Sequence, residues 1–491
     1  TAVAYACVEP IPTDDSCTTA AGSNVFYGIS SNNSLKIAGY SYGVGNLAVG
    51  QLGSSATNGI FTQYNPCEIF LFDAQYEFLN FPQPVPVKIY TTGDSIYVLA
   101  SDGSLWSAGR NDEGQLGKGV TGDNTINHRL TRISFSGGGV VKKFATNYSG
   151  TVGRTTCLAL VQNASGFTLY GWGRNTEGQL GTGTTALLNT PTPVNIQSGS
   201  DTYNTIKDIV VCGRQNYGMC AVLFESGRVR AAGYNGHGQL ARGNQTASTV
   251  WDYVKIGATT NLSDVVEICG SNAFISGVYY RTSQGRIYYS GFNDGNGPAG
   301  NGTSVVTPYF LKTVSGGDIW KTGPGKFIYS SGGYTVGTTW AFAENGNLYR
   351  WGYNGQGQLA NGTTTAQLSP ILLSGYNLAN IKKLMPFQQE DSNASGSVAI
   401  LLNDGRIMAA GYNGYGNLGV GDASNRSSLS VVLFPRDKVK NIFWLNKMSS
   451  NYSLCVLGKD GNLYTTATDT WGMFLRGGNS SLTYLLTAAR L

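Results

Sequence analysis

One phrase returns along the chain at intervals close to sixty residues, and it constrains the fold more than any other feature. It consists of a glycine, an arginine or aromatic residue, an asparagine and then a Gly-Gln-Leu-Gly turn. Seven copies and a decayed eighth begin at Gly39, Gly109, Gly173, Gly233, Gly291, Gly352, Gly411 and Ala467. The successive intervals are 70, 64, 60, 58, 61, 59 and 56 residues. Such a period is the signature of a repeat architecture.

Each repeat consists of short strands and tight turns. Upstream of the phrase lies a hairpin turn such as Asn403-Asp404-Gly405, where glycine supplies the positive φ that the turn requires. About sixty residues of this kind build one four-stranded blade, whose faces are buried by stacking blades around an axis. The sequence therefore predicts an all-β fold: a single closed β-propeller of seven or eight four-stranded blades. Because the last repeat ends soon after its phrase, we expect residues 24–29 to complete it, so that N- and C-terminal strands close the ring.

The phrase resembles the repeat of the regulator of chromosome condensation (RCC-type) family of β-propellers. The clearest match is residues 348–354, which are followed by Gly357-Gln358-Leu359. The resemblance covers roughly residues 23–485 and implies the propeller fold. It implies no single function, because the family includes a nucleotide-exchange factor for a nuclear GTPase, domains of ubiquitin ligases, and extracellular and viral proteins.

The repeated glycines and asparagines are interpreted as structural residues. Glycine permits close backbone approach and positive φ, and asparagine hydrogen-bonds local backbone in turns. The residues given this role are Gly109, Gly173, Gly233, Gly352, Gly411, Asn111, Asn175, Asn235, Asn354 and Asn413.

Charge and hydropathy exclude several classes of partner. Only 12% of the residues are charged, and the net charge is +5. The longest basic runs are the pairs Lys142-Lys143 and Lys382-Lys383, so we expect no nucleic-acid partner. No apolar stretch approaches the ~18–20 residues that span a bilayer, so we expect no membrane insertion.

The sequence carries no recognisable catalytic pattern. The two histidines, His128 and His237, lack the neighbours that a nucleophilic site needs. No phosphate-binding glycine loop and no Cys-x-x-Cys pair occurs. We therefore expect no enzyme, and no catalytic, cofactor-binding or metal-binding residues.

Two regions lie outside the repeat frame. Residues 1–22 form a tail with too little apolar content to fold alone, and the propeller is assigned to residues 23–491. Residues 58–86 form an aromatic insertion within it, which either caps the propeller or docks a partner. Its candidate partner-binding residues are Phe61, Tyr64, Phe70, Phe72, Tyr76, Phe78 and Phe81.

Composition favours a non-enzymatic structural or binding propeller on a virion or extracellular surface, as a decoration, tail or fibre component. Low charge, richness in glycine, asparagine, threonine and tyrosine, and the absence of an initiator methionine support this expectation. Its partners would be proteins of an assembly or host surface, or glycans. The alternative is a cytoplasmic or nuclear regulator resembling a small-GTPase nucleotide-exchange factor.

Deletion of residues 58–81, bridged by Gly-Ser, separates the two interpretations of the insertion. Its seven aromatic side chains can each bury about 150–200 Å². A cap would therefore expose core when deleted, and we expect a sharply lower melting temperature. A docking surface would keep the melting temperature within a few degrees but lose assembly by co-sedimentation. Normal stability together with normal assembly would contradict both interpretations.

Overall fold

The computed structural model describes residues 3–5, 19–21, 25–30, 35–41, 61–69, 86–92, 95–122, 130–147, 154–271, 277–293, 295–305, 310–323, 325–332, 337–388, 395–445, 452–460, 463–466 and 487–488. Within these residues the regular structure is β-strand with three short 3₁₀ turns, and no helix is long and apolar enough to cross a membrane. Dense turns and alternating apolar residues explain this all-β outcome.

The strands form seven four-stranded antiparallel sheets, the blades of a β-propeller. Blade 1 comprises β6 (Pro86–Thr91), β7 (Ser95–Ala100), β8 (Leu105–Gly109) and β9 (Thr131–Arg132). Blade 2 comprises β10 (Val140–Thr146), β11 (Thr156–Asn163), β12 (Gly166–Gly173) and β13 (Leu188–Pro193). Blade 3 comprises β14 (Ile206–Cys212), β15 (Met219–Phe224), β16 (Val229–Gly233) and β17 (Ser248–Tyr253). Blades 4 and 5 comprise β18 (Val265–Gly270), β19 (Gly277–Thr282), β20 (Ile287–Gly291) and β21 (Lys312–Thr313); and β22 (Ile328–Gly332), β23 (Gly337–Phe342), β24 (Asn347–Gly352) and β25 (Gln367–Asn377). Blades 6 and 7 comprise β26 (Ile381–Gln388), β27 (Gly396–Leu402), β28 (Ile407–Gly411) and β29 (Arg426–Val431); and β30 (Val439–Leu445), β31 (Ser453–Gly458), β32 (Leu463–Thr465) and β33 (Thr487–Ala488).

The N-terminal strands form a separate five-stranded sheet. Its members are β1 (Val3–Tyr5), β2 (Thr19–Ala21), β3 (Val25–Ser30), β4 (Leu35–Ser41) and β5 (Phe61–Ile69). The β-propeller prediction is confirmed, with seven four-stranded blades. The expectation that residues 24–29 complete the last blade is wrong. The outer strand of that blade is β33, whereas β3 pairs with β1, β2 and β4, because the C-terminal residues themselves supply an edge partner for β32.

The apolar core lies between the blades. Each junction from blade 1 to blade 7 holds one cluster of buried side chains drawn from both neighbouring blades. Between blades 1 and 2, for example, Tyr90 and Tyr97 pack on Phe144 at ring-centroid distances of 4.9 and 5.0 Å. Because each sheet is buried on both faces, its stability depends on its neighbours.

The first strand of each blade is the innermost. The pairs β10 and β14, β14 and β18, β18 and β22, β22 and β26, and β26 and β30 contact each other, so first strands line the axis. The loop that carries the repeated phrase joins the third and fourth strands of a blade, and we name it the phrase loop. In an antiparallel blade it lies at the same end as the connection between the first and second strands. We name this end the motif face and the opposite end, which carries the hairpin turns, the turn face.

Two glycines at the ends of third strands test the register of the repeat. Gly352 and Gly411 have φ of +101° and +111°, and an added Cβ would collide with the carbonyl oxygens of Gly337 and Gly396. Replacing either with valine should destabilise the fold by about 3 kcal/mol. Chemical denaturation measures this, with Gly257→Val as control, since Gly257 faces open space. Equal stability of all three variants would contradict the register.

Candidate interaction face

An asparagine organises each phrase loop. In blade 5, Asn354 Oδ1 accepts a hydrogen bond from Leu359 N at 2.8 Å, and its Nδ2 donates to the carbonyls of Thr363 and Thr365 at 2.9 and 3.1 Å. The corresponding Oδ1 acceptors, Asn111, Asn175, Asn235 and Asn413, lie 2.8–2.9 Å from backbone nitrogens five residues on. One amide thus satisfies backbone groups at both ends of the loop and fixes its shape.

The phrase loop also bonds to the following blade. Gly183 N donates to Thr249 O at 2.7 Å, and Gly362 N donates to Ser427 O at 2.8 Å. A tryptophan of the next blade can donate back to the same loop, as Trp172 Nε1 does to Gln115 O at 2.8 Å. Glycine is required where these parts meet, because a Cβ on Gly181 would collide with the indole of Trp251. The loops are therefore rigid supports for the side chains that they present.

In blade 2 the phrase position after the glycine is the centre of a polar network on the motif face. Arg174 Nη1 donates to Glu113 Oε1 of blade 1 at 2.6 Å, and Nη2 donates to Asn216 Oδ1 of blade 3 at 2.8 Å. Arg154 Nη1 reaches the same amide oxygen at 2.9 Å. Burial raises the pKa of Glu113, against the lowering effect of Arg174. This network joins three blades.

Blades 3 to 6 carry aromatic residues at the same position: Tyr234, Phe292, Tyr353 and Tyr412. Each tyrosine is followed two residues later by glycine, and a Cβ on Gly236 or Gly355 would collide with its hydroxyl. The ring therefore folds back over the loop. In blades 1 and 2, where arginine replaces tyrosine, that second position is aspartate or threonine.

Four of the rings on the motif face form a continuous row. Tyr217 meets Tyr234 edge-on with centroids 4.9 Å apart, Tyr234 lies 6.2 Å from His237, and His237 meets Phe292 edge-on at 4.7 Å. All four side chains are partly exposed. We name them the aromatic row; it crosses from blade 3 to blade 4. Loss of water around the imidazole lowers the pKa of His237.

Of the residues predicted from the sequence, the structure describes the repeat glycines but not the side chains of the aromatic insertion. Gly109, Gly173 and Gly233 have φ of +114°, +86° and +111° at the ends of third strands. Phe61 and Tyr64 belong to β5, but their side chains and the remaining candidate aromatics of the insertion lie outside the described residues, as does His128. The insertion as partner-binding site, and the domain boundary at residue 22, stay predictions.

Sequence reasoning missed the aromatic row as a site. The available signal was the variable phrase position, which changes from arginine in blades 1 and 2 to an aromatic residue in blades 3 to 6. Interpreting the phrase as purely structural concealed that change.

Known proteins share the repeat of this chain. The family description "Regulator of chromosome condensation (RCC1) repeat" matches residues 168–217. The chain is 26% identical over 357 residues to the ultraviolet-B receptor UVR8 of Arabidopsis thaliana, covering 72% of each protein. It is 25% identical over 342 residues to the E3 ubiquitin-protein ligase HERC2 of Mus musculus, covering 61% of this chain but 7% of that protein.

A solved structure with the same fold is yeast RCC1 (Prp20) bound to Kap60. The TM-score is 0.51 at 15% identity, with 89% of this chain and 90% of that chain covered. The relatives overturn one expectation. The relatives UVR8 and HERC2 and the yeast neighbour are proteins of the cell interior, so the expected location on a virion or extracellular surface is wrong. Low charge and glycine-rich turns reflect the repeat's backbone geometry and say nothing about compartment.

Phe292→Ala tests the aromatic row. Removing the ring that covers His237 admits water to the imidazole, so its pKa should rise toward the ordinary value near 6.5. Proton NMR titration measures this, because the chain has two histidines. Tyr353→Ala, the equivalent position of blade 5, is the control and should leave the His237 pKa unchanged. An unchanged pKa in Phe292→Ala would contradict the row.

Proposed function

This chain is an RCC-type repeat β-propeller, and we propose that it is a non-enzymatic regulator of the cell interior that holds a protein partner on its motif face. The observation that carries the proposal is the aromatic row of Tyr217, Tyr234, His237 and Phe292. Aromatic residues and arginine are the residue types that contribute most to protein interfaces.

The motif face offers both components of an interface. The aromatic row provides partly exposed rings on loops whose backbone is held by hydrogen bonds to the next blade. Beside it, the partly exposed Glu113 and Glu177 provide a charged region around the buried Arg174. Burial raises the pKa of Tyr234, and the nearby Tyr217 and Glu177 raise it further. Preorganised loops lower the entropy lost on binding. Because the combined surface extends over blades 1 to 4, it suits a macromolecule better than a small ligand.

A protein partner is also what the yeast neighbour has, since its structure was solved bound to Kap60. That neighbour supports the fold of this chain. Exchange of nucleotide on a small GTPase is the narrower form of the proposal.

The test is cross-linking mass spectrometry of the full chain in cells of its native source. We compare the wild type with Tyr234→Ala/Phe292→Ala. Leu372→Ala/Leu433→Ala is the control, because it removes exposed apolar side chains from the outer rim instead. We expect cross-links on the motif face, and loss of the partner by at least about tenfold in the aromatic variant alone, as for interface anchors.

Partner retention in the aromatic variant, or cross-links confined to the turn face, would contradict the proposal. If the captured partner is a small GTPase, release of labelled GDP in the presence of the wild-type chain would identify exchange activity.

A further inference from the structure

The innermost strands share a bulge that places one residue out of register. Six of the seven first strands have it, and the bulged residues are Val87, Lys142, Lys207, Val266, Lys382 and Lys440. Four of the six are lysines. A bulged residue is left out of the ladder pairing and its side chain is re-aimed, so a lysine at this position can extend its charged end toward solvent.

The two Lys-Lys pairs divide their roles. The second lysine of each pair reaches the next blade: Lys143 Nζ lies 3.9 Å from Asp208 Oδ1, and Lys383 Nζ donates to Ile442 O at 2.9 Å. The first lysines, Lys142 and Lys382, are exposed. The pairs are therefore not simple solvated charge runs, since one lysine of each pair contacts the next blade and the other is presented to solvent.

The four bulged lysines surround one place. Each lies within the first three residues of its strand, which is the end at the turn face. Because first strands line the axis, these lysines lie around the axis at its turn-face opening. Lys142 and Lys207 come from adjacent blades 2 and 3, and Lys382 and Lys440 from adjacent blades 6 and 7. In a seven-bladed ring the two pairs face each other across the axis. We name these four residues the lysine ring.

The carboxylates next in sequence to the bulges are already engaged. Asp208 is paired with Lys143, and Glu267 Oε2 accepts a hydrogen bond from Arg281 Nε at 2.6 Å while also accepting from Phe327 N and Ile328 N. No ion pair joins any lysine of the ring to another residue in the part of the chain that the structure describes. The ring therefore adds four positive charges to one opening.

We propose that the lysine ring binds a compact anion carrying several phosphate groups. Lysine ammonium groups suit phosphate as flexible point charges, and cations gathered around one opening reinforce each other's field. Since the lysines encircle an axis instead of following a stripe, a small polyphosphate can contact both pairs at once. A nucleic-acid backbone would need cations along a line. This site is on the face opposite the aromatic row and is independent of the proposed partner surface.

Isothermal titration calorimetry of the full chain with inorganic tripolyphosphate tests the proposal. We expect one ion per chain, and binding about tenfold or more weaker in Lys382→Gln/Lys440→Gln, because two of four charge contacts are lost. Glutamine keeps the length of the stem, and a thermal melt checks that the variant folds. The matched control is Arg132→Gln/Lys459→Gln, which removes two exposed cations outside the ring and should bind like the wild type.

Two further arms identify the source of the phosphates. Co-sedimentation with vesicles that contain phosphatidylinositol 4,5-bisphosphate tests a lipid headgroup, and binding in either arm that depends on the ring supports the proposal. Absence of binding in both arms, or equal weakening in the control variant, would overturn it. Tighter ring-dependent binding to duplex DNA than to tripolyphosphate would also overturn it, because the site would then not select a compact anion.

Discussion

The structure depends on burial of both faces of each blade against its neighbours. Among the described residues no blade has a core of its own, and the buried side chains collect at the junctions, as where Tyr279 and Trp351 meet between blades 4 and 5. Apolar packing is not directional, so it needs something to hold the blades in register. Hydrogen bonds from the phrase loops to the following blade perform that task. Register and packing therefore stabilise each other around the ring.

This arrangement separates structural from variable positions within one short phrase. The glycine and asparagine are committed to backbone conformation and loop closure, as Gly352 and Asn354 show. The residue between them is free to differ, because its side chain lies on the motif face. In blade 2 this residue is Arg174, which belongs to the polar network. In blade 3 it is Tyr234, which belongs to the aromatic row. Recognition can thus change without disturbing the fold.

The turn face also combines a regular structural element with a variable position, here within the first strand of each blade. A bulge recurs at one position in six of the seven first strands, and the residue placed there is left out of the ladder pairing. Asp208, next to one bulge, shows the cost of proximity to the core: burial raises its pKa to about 6 despite the neighbouring Lys143. Of the lysines at the bulges, Lys142, Lys382 and Lys440 are exposed and Lys207 is partly exposed, so their charge costs less to maintain.

How much could be predicted depends on whether a feature is local. Turn glycines and loop asparagines act within about twelve residues, so their spacing was enough to indicate the propeller and the RCC-type repeat. The partner of an edge strand is not local, and the completion of the last blade by residues 24–29 was predicted wrongly. Compartment was also wrong, because composition reflects backbone geometry here.

The sequence by itself determined the repeat, its blade length and the all-β architecture, since these follow from the φ requirements of glycine and the period of the phrase. Only the tertiary structure decided which side chains meet. Tyr217 and His237 lie on two different connections of blade 3 and Phe292 lies on the phrase loop of blade 4, yet they form one row because the fold places these loops side by side on the motif face. Lys142 and Lys382 are separate weak signals in sequence. They surround one opening because winding around an axis brings equivalent positions of distant repeats together.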